Sequence, residues 1–150
     1  MDRYVSEPIR IAEAGDDQPP FTRADLVFYG VDHSGQSYEA RVYLDNPDAG
    51  LGTPRDAEHG YAGSFVVFGH GGCYGDPGHC DPGLRTTDEF DLRAPHGLAP
   101  FTKTVIVTDA LRRVARSEVV VSVVAAVAGS RGAEASDALR FTHLRLLTYL

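Results

Sequence analysis

The run Glu118 to Ala128 (EVVVSVVAAVA) limits the fold more than any other stretch of the chain. Valine is stiff at χ1 and packs well on a pleated surface, so so dense a run reads as a strand bound for the inside of a sheet. Ala24 to Val31 (ADLVFYGV) and Ser37 to Leu44 (SYEARVYL) carry the same signal. The second alternates Tyr38, Ala40, Val42 and Leu44 against Glu39, Arg41 and Tyr43, the pattern of a strand with one buried face. Asp32-His33-Ser34-Gly35 between them is turn chemistry, and a hairpin is expected there. Tyr61 to Phe68, Phe101 to Val107 and Leu139 to Tyr149 supply further strands, and the small residues Ala62, Gly63 and Ser64 imply close backbone approach. Helical character is confined to Ala110 to Arg116 (ALRRVAR), where Thr108 offers an N-cap, Asp109 a first-turn acid, and Leu111 and Val114 face inward.

These segments predict an all-β fold: an antiparallel β-sandwich of roughly six to eight strands with one short helix and long loops. Residues 1–20 end in Asp16-Asp17-Gln18-Pro19-Pro20 and read as an extended lead-in, so the domain proper is expected over residues 21–150. Asp45 to Gly60 is nearly all turn formers and reads as a long surface connection, and no internal repeat is evident.

Charge and hydropathy exclude several function classes. A net charge of −7 without clustered Lys and Arg argues against a nucleic-acid partner. The longest apolar stretch, Val119 to Ala128, is far short of the roughly 20 residues a membrane helix needs. Met1 to Ala14 carries Arg3, Glu7, Arg10 and Glu13 and no apolar run; without a secretory pattern the expected location is cytoplasmic. Ser64 lacks the G-x-S-x-G elbow of a hydrolase nucleophile, and neither a phosphate loop nor a dinucleotide fingerprint occurs.

The order of several short motifs carries a family resemblance. Ala62-Gly63-Ser64-Phe65-Val66, then Lys103 and Thr104 in a strand, then Thr108-Asp109-Ala110-Leu111, then Val119-Val120-Val121 running to Gly129, resembles the C-terminal domain of plant polyphenol oxidases over about residues 36–150. Ala24 to Leu44 and the loop after Phe68 also look like tails of bacterial tyrosinase-family proteins. The resemblance implies a β-sandwich that packs against a helical type 3 copper domain and covers its active-site entrance, and that in some members is removed for full activity. The six histidines that hold two coppers in such oxidases have no counterpart here. His33, His59, His70, His79, His96 and His143 are scattered, and no helical His-x-x-x-His pair exists.

The chemistry-bearing residues gather in Gly69 to Gly83 (GHGGCYGDPGHCDPG), which holds both cysteines of the chain. His70, Cys73, His79 and Cys80 form a donor set of two thiols and two imidazoles suited to copper or zinc. Cys73 and Cys80 paired in a disulfide, or left as thiols on a loop with solvated histidines, is the competing reading. Tyr74 on the same loop is a candidate to plug a partner's pocket, as placeholder residues do in the resembled family. Arg112 and Arg116, four apart on the helix, make a candidate docking stripe. His33 and His59, beside Asp32 and Glu58, read as turn residues at the surface.

The expected function is that of a non-catalytic accessory domain or small subunit on a tyrosinase-like type 3 copper oxidase, shielding or stabilising its active site and assisting copper loading. The alternative is an autonomous copper- or zinc-binding protein using the 69–83 loop. A generic sandwich adhesion module is a third reading, which the loop composition disfavours.

Overall fold

The computed structural model describes residues 3–11, 21–71, 90, 97–114, 117–127 and 138–150. Nine strands and one helix are found among them, all strand pairs antiparallel. The expected all-β class with one short helix is what the chain adopts.

Strands β1 (Arg3–Val5), β4 (Tyr38–Leu44), β5 (Tyr61–Val67) and β8 (Val121–Val127) form one sheet in the order β1-β8-β4-β5. Strands β3 (Arg23–Val31), β6 (Phe101–Ile106) and β9 (His143–Tyr149) form a second, ordered β6-β3-β9. A two-stranded ribbon joins β2 (Ile9–Arg10) to β7 (Glu118–Val119), and helix α1 (Thr108–Val114) follows β6.

Alternation along the central strands builds the core between the two main sheets. Ala24, Leu26 and Phe28 of β3 meet Tyr38, Ala40, Val42 and Leu44 of β4 and Val121, Val123 and Ala125 of β8 in one buried cluster. Phe28 is its hub, with ring centroids 4.8 Å from Phe65 and 5.4 Å from Phe141. At the β5–β6 side the sheets approach closely. Gly63 has φ 140°, and a Cβ there would press on Val105, so the glycine permits the contact.

The expected 32–35 hairpin is not formed. β3 and β4 lie in different sheets, so residues 32–37 arch across the sandwich. Turn residues fix only that the chain reverses. Here β3 takes its hydrogen-bond partners from β6 and β9, and β4 from β5 and β8, so both strands are central in their own sheets.

The expected single strand at 118–128 is interrupted at Val120. Asp45, at φ 50°, donates its N–H to the Val120 carbonyl at 2.8 Å and accepts the Val120 N–H on Oδ1 at 2.9 Å. One residue is thereby removed from the ladder, and the strand divides into β7 and β8.

The 45–60 connection folds back over the outer face of the first sheet. Tyr43, Ala49 and Val124 are buried beneath it, and the Tyr43 hydroxyl donates to the Thr53 carbonyl at 3.0 Å. Outward-facing residues of β4 and β8 are therefore covered as well as inward-facing ones. No helix of the described residues is long and apolar enough to cross a membrane.

Candidate functional site

The glycine-rich segment begins directly after β5, and its first residues are pinned to the arch at 32–37. Gly69 donates its N–H to Ser37 Oγ at 2.9 Å, and His70 donates its N–H to the His33 carbonyl at 2.8 Å. A Cβ on Gly69 would collide with the backbone of Gly35 and Gln36, so only glycine lets the two segments lie this close.

This pinning brings two imidazoles together. The rings of His33 and His70 meet edge to face with centroids 5.0 Å apart, and His33 packs against Phe101 at 4.8 Å. His33 Nε2 lies 3.1 Å from the Ala99 carbonyl, which can only accept, so that nitrogen carries a proton. The sequence reading of His33 as a plain surface turn residue needs correction: it is half-buried, wedged between the loop root and the start of β6. Its place was hidden because residues 68–71 and 97–101 meet the arch only after the sheets have packed.

Asp32 borders this root. Its carboxyl is held below the usual carboxylate range, chiefly by hydrogen bonding from Ser34, with Arg140 3.6 Å away adding a favourable charge. The cluster therefore contains one fixed anion beside two imidazoles.

Of the four expected metal ligands, His70 is described and is exposed; Cys73, His79 and Cys80 lie outside the described residues, as does Tyr74. Among the described residues no group of three or more His, Cys, Asp or Glu side chains is arranged to hold a metal ion.

On α1, Leu111 is buried and Val114 packs against the core, which leaves Arg112 and Arg113 outward. Arg112 Nη2 donates to the carbonyls of Phe21 and Thr22 at 3.1 and 3.2 Å, and its guanidinium lies 5.8 Å from the centroid of the Phe21 ring. These contacts clamp the entry of β3 to the helix. With 42% of its side chain exposed, Arg112 still presents part of the guanidinium to solvent. Arg116 lies outside the described residues.

No known protein-family model matches this sequence, and no curated protein matches it. The fold nevertheless has counterparts among solved structures, polyphenol oxidases among them. They include latent aurone synthase (polyphenol oxidase), both recombinantly expressed and from its natural source. Each superposes with a TM-score of 0.55 at 13% identity, covering 99% of this chain and 24% of the other. The chain thus spans about a quarter of the length of the solved proteins it resembles. At this identity the likeness is one of fold.

Proposed function

We propose that this chain is a non-catalytic accessory domain, the counterpart of the C-terminal sandwich of a polyphenol oxidase, that docks on a tyrosinase-like type 3 copper oxidase and shields its active site. The observation carrying the reading is the coverage: nearly the whole chain matches about a quarter of a latent oxidase, the share expected of one domain in a larger enzyme. Tyr74 and the arginines Arg112 and Arg116 are the side chains assigned to docking. The test is complex formation with a copper-loaded tyrosinase-like catalytic domain, followed by light scattering. A complex of one chain per catalytic domain, weakened by Tyr74→Ala and by Arg116→Ala, is expected; no complex in any copper state would overturn the proposal.

A role in copper loading rests on the donor chemistry of the loop. Two thiolates and two imidazoles from His70, Cys73, His79 and Cys80 suit Cu(I) or Zn(II), and either ion would serve for delivery or for structure. The meeting of His33 with His70 favours the second reading, of an autonomous metal site, because it adds an imidazole beside the loop root. Metal content after purification under reducing conditions tests both, and exchange with an apo-oxidase separates them. About one equivalent of copper or zinc, lost in the Cys73→Ser/Cys80→Ser double variant, is expected of either metal reading. Retention by the isolated chain in the presence of an apo-oxidase favours autonomy, and transfer favours loading.

A further inference from the structure

A cavity remote from the glycine-rich loop in sequence lies between the 45–60 connection and α1. It has a volume of about 300 Å³, near the lower end of the range for small-molecule sites. Ala110 and Val114 of the helix contribute an apolar wall, and Arg113 stands at the same side. Opposite them the connection contributes Asn46, Glu58 and His59.

The polar groups of this cavity are organised. His59 Nδ1 lies 2.6 Å from Asp56 Oδ1, and the carboxylate can only accept, so Nδ1 carries the proton. With Nδ1 so engaged, Nε2 is the ring nitrogen left for a ligand, an acceptor whenever the ring is neutral. Asp56 also accepts the His59 N–H at 3.0 Å, while the Asn46 amide donates to the His59 carbonyl at 2.8 Å, which fixes the residue from both sides. Gly60, at φ 77°, lets the chain turn against the Leu44 carbonyl where a Cβ would clash, and so holds the histidine over the helix.

What remains uncommitted has a definite polarity. Among the described residues the Arg113 guanidinium and the Glu58 carboxylate form no ion pair with one another or with another side chain. The cavity therefore presents one strong cationic donor on the helix and two acceptors, Glu58 and His59 Nε2, on the connection, beside the Asp45 carboxylate that already holds the Val120 N–H and with an apolar wall beside Arg113. A ligand that meets all of these carries a carboxylate, an ammonium and a small aliphatic side chain.

We propose that this cavity binds a free α-amino acid, its carboxylate on Arg113 and its ammonium on Glu58 and His59 Nε2. Bidentate pairing of a guanidinium with a carboxylate supplies the geometric specificity, and the acceptors exclude simple anions. A bare cation is disfavoured by the guanidinium and by the lack of a three-ligand cluster among the described residues. The proposal is independent of any copper oxidase partner.

The experiment is an NMR titration of the intact chain with L-alanine, L-valine and L-leucine, alongside their amides, their N-acetyl forms and acetate. Saturable shifts at His59 and along α1 are expected for the free amino acids. Loss of the carboxylate in the amides, or Arg113→Gln, should weaken binding about tenfold or more. Glu58→Gln should weaken the free amino acids while leaving the N-acetyl forms unchanged. Both positions are exposed, so circular dichroism of the variants should match the parent. No saturable shift at these residues with any amino acid would overturn the proposal, as would acetate binding equally well or variants that bind like the parent.

Discussion

Arg112 shows how one side chain can join two roles. Its guanidinium closes α1 onto the carbonyls of Phe21 and Thr22 and stacks over the Phe21 ring. Arg112→Ala removes both contacts, and a loss of about 1–2 kcal/mol of stability in urea unfolding is expected, with Arg112→Lys recovering only part because an ammonium cannot reproduce the planar fork. Gly60 is constrained by backbone alone. Gly60→Ala should cost about 1–3 kcal/mol, since φ 77° is strained for a side-chain residue and the Leu44 carbonyl occupies the Cβ position. Tyr38 is buried, and desolvation pushes its hydroxyl up from 10.0 to about 12, with the nearby Arg140 backbone opposing part of the rise. The folded state thus holds its proton after the unfolded chain has lost it. Stability from this group is intact below pH 10, lost as pH approaches 12, and the loss should vanish in Tyr38→Phe.

At the scale of elements, an ion network ties the 45–60 connection to β4. Arg55 grips Glu39 through two hydrogen bonds of 2.8 and 2.7 Å, and Arg41 donates to the same carboxylate at 3.1 Å and to the Leu51 carbonyl at 3.1 Å. Burial alone would raise the Glu39 carboxyl, but hydrogen bonds from Arg41 and Ser64 and the charges of Arg55 and Arg41 outweigh it and hold it low. The network therefore stabilises the fold above the ordinary glutamate range and ceases to do so as pH falls through the depressed value. Glu39→Gln should flatten the acid limb of a stability–pH profile measured by urea unfolding.

The strands themselves were legible in the sequence. Tyr38, Ala40, Val42 and Leu44 alternate inward as their spacing predicts, and the 118–128 run is buried on both faces at β8 because the 45–60 connection covers its outer side. Pairing was less legible. Nothing local distinguishes an arch from a hairpin at 32–37, and the break at Val120 depends on Asp45, far away in sequence. Residues 3–11 have the charged composition of a lead-in, yet they pair with β8 and β7, and Ile11 is buried. Of the expected site residues, sequence located His70 on a loop root but not His33 beside it, since their contact requires both sheets in place.

For the whole molecule, two sheets share one apolar core, so a cavity at its centre should affect everything at once. Leu26→Ala lies fully inside it and should cost about 2–5 kcal/mol in urea unfolding while leaving a single cooperative transition. The His33–His70 root and the amino-acid cavity involve separate segments of this framework, one at the arch and the other under α1. That separation lets substitutions at the loop root and in the cavity be made independently.

The central claim is that the sandwich shields an oxidase and performs no redox chemistry itself. It is tested most directly by following diphenol oxidation by a copper-loaded tyrosinase-like catalytic domain while this chain is added. Activity is predicted to fall to a floor at about one chain per catalytic domain, and the chain alone, given copper, should oxidise nothing. Activity that is indifferent to added chain, or diphenol oxidation by the copper-loaded chain alone, would contradict the account.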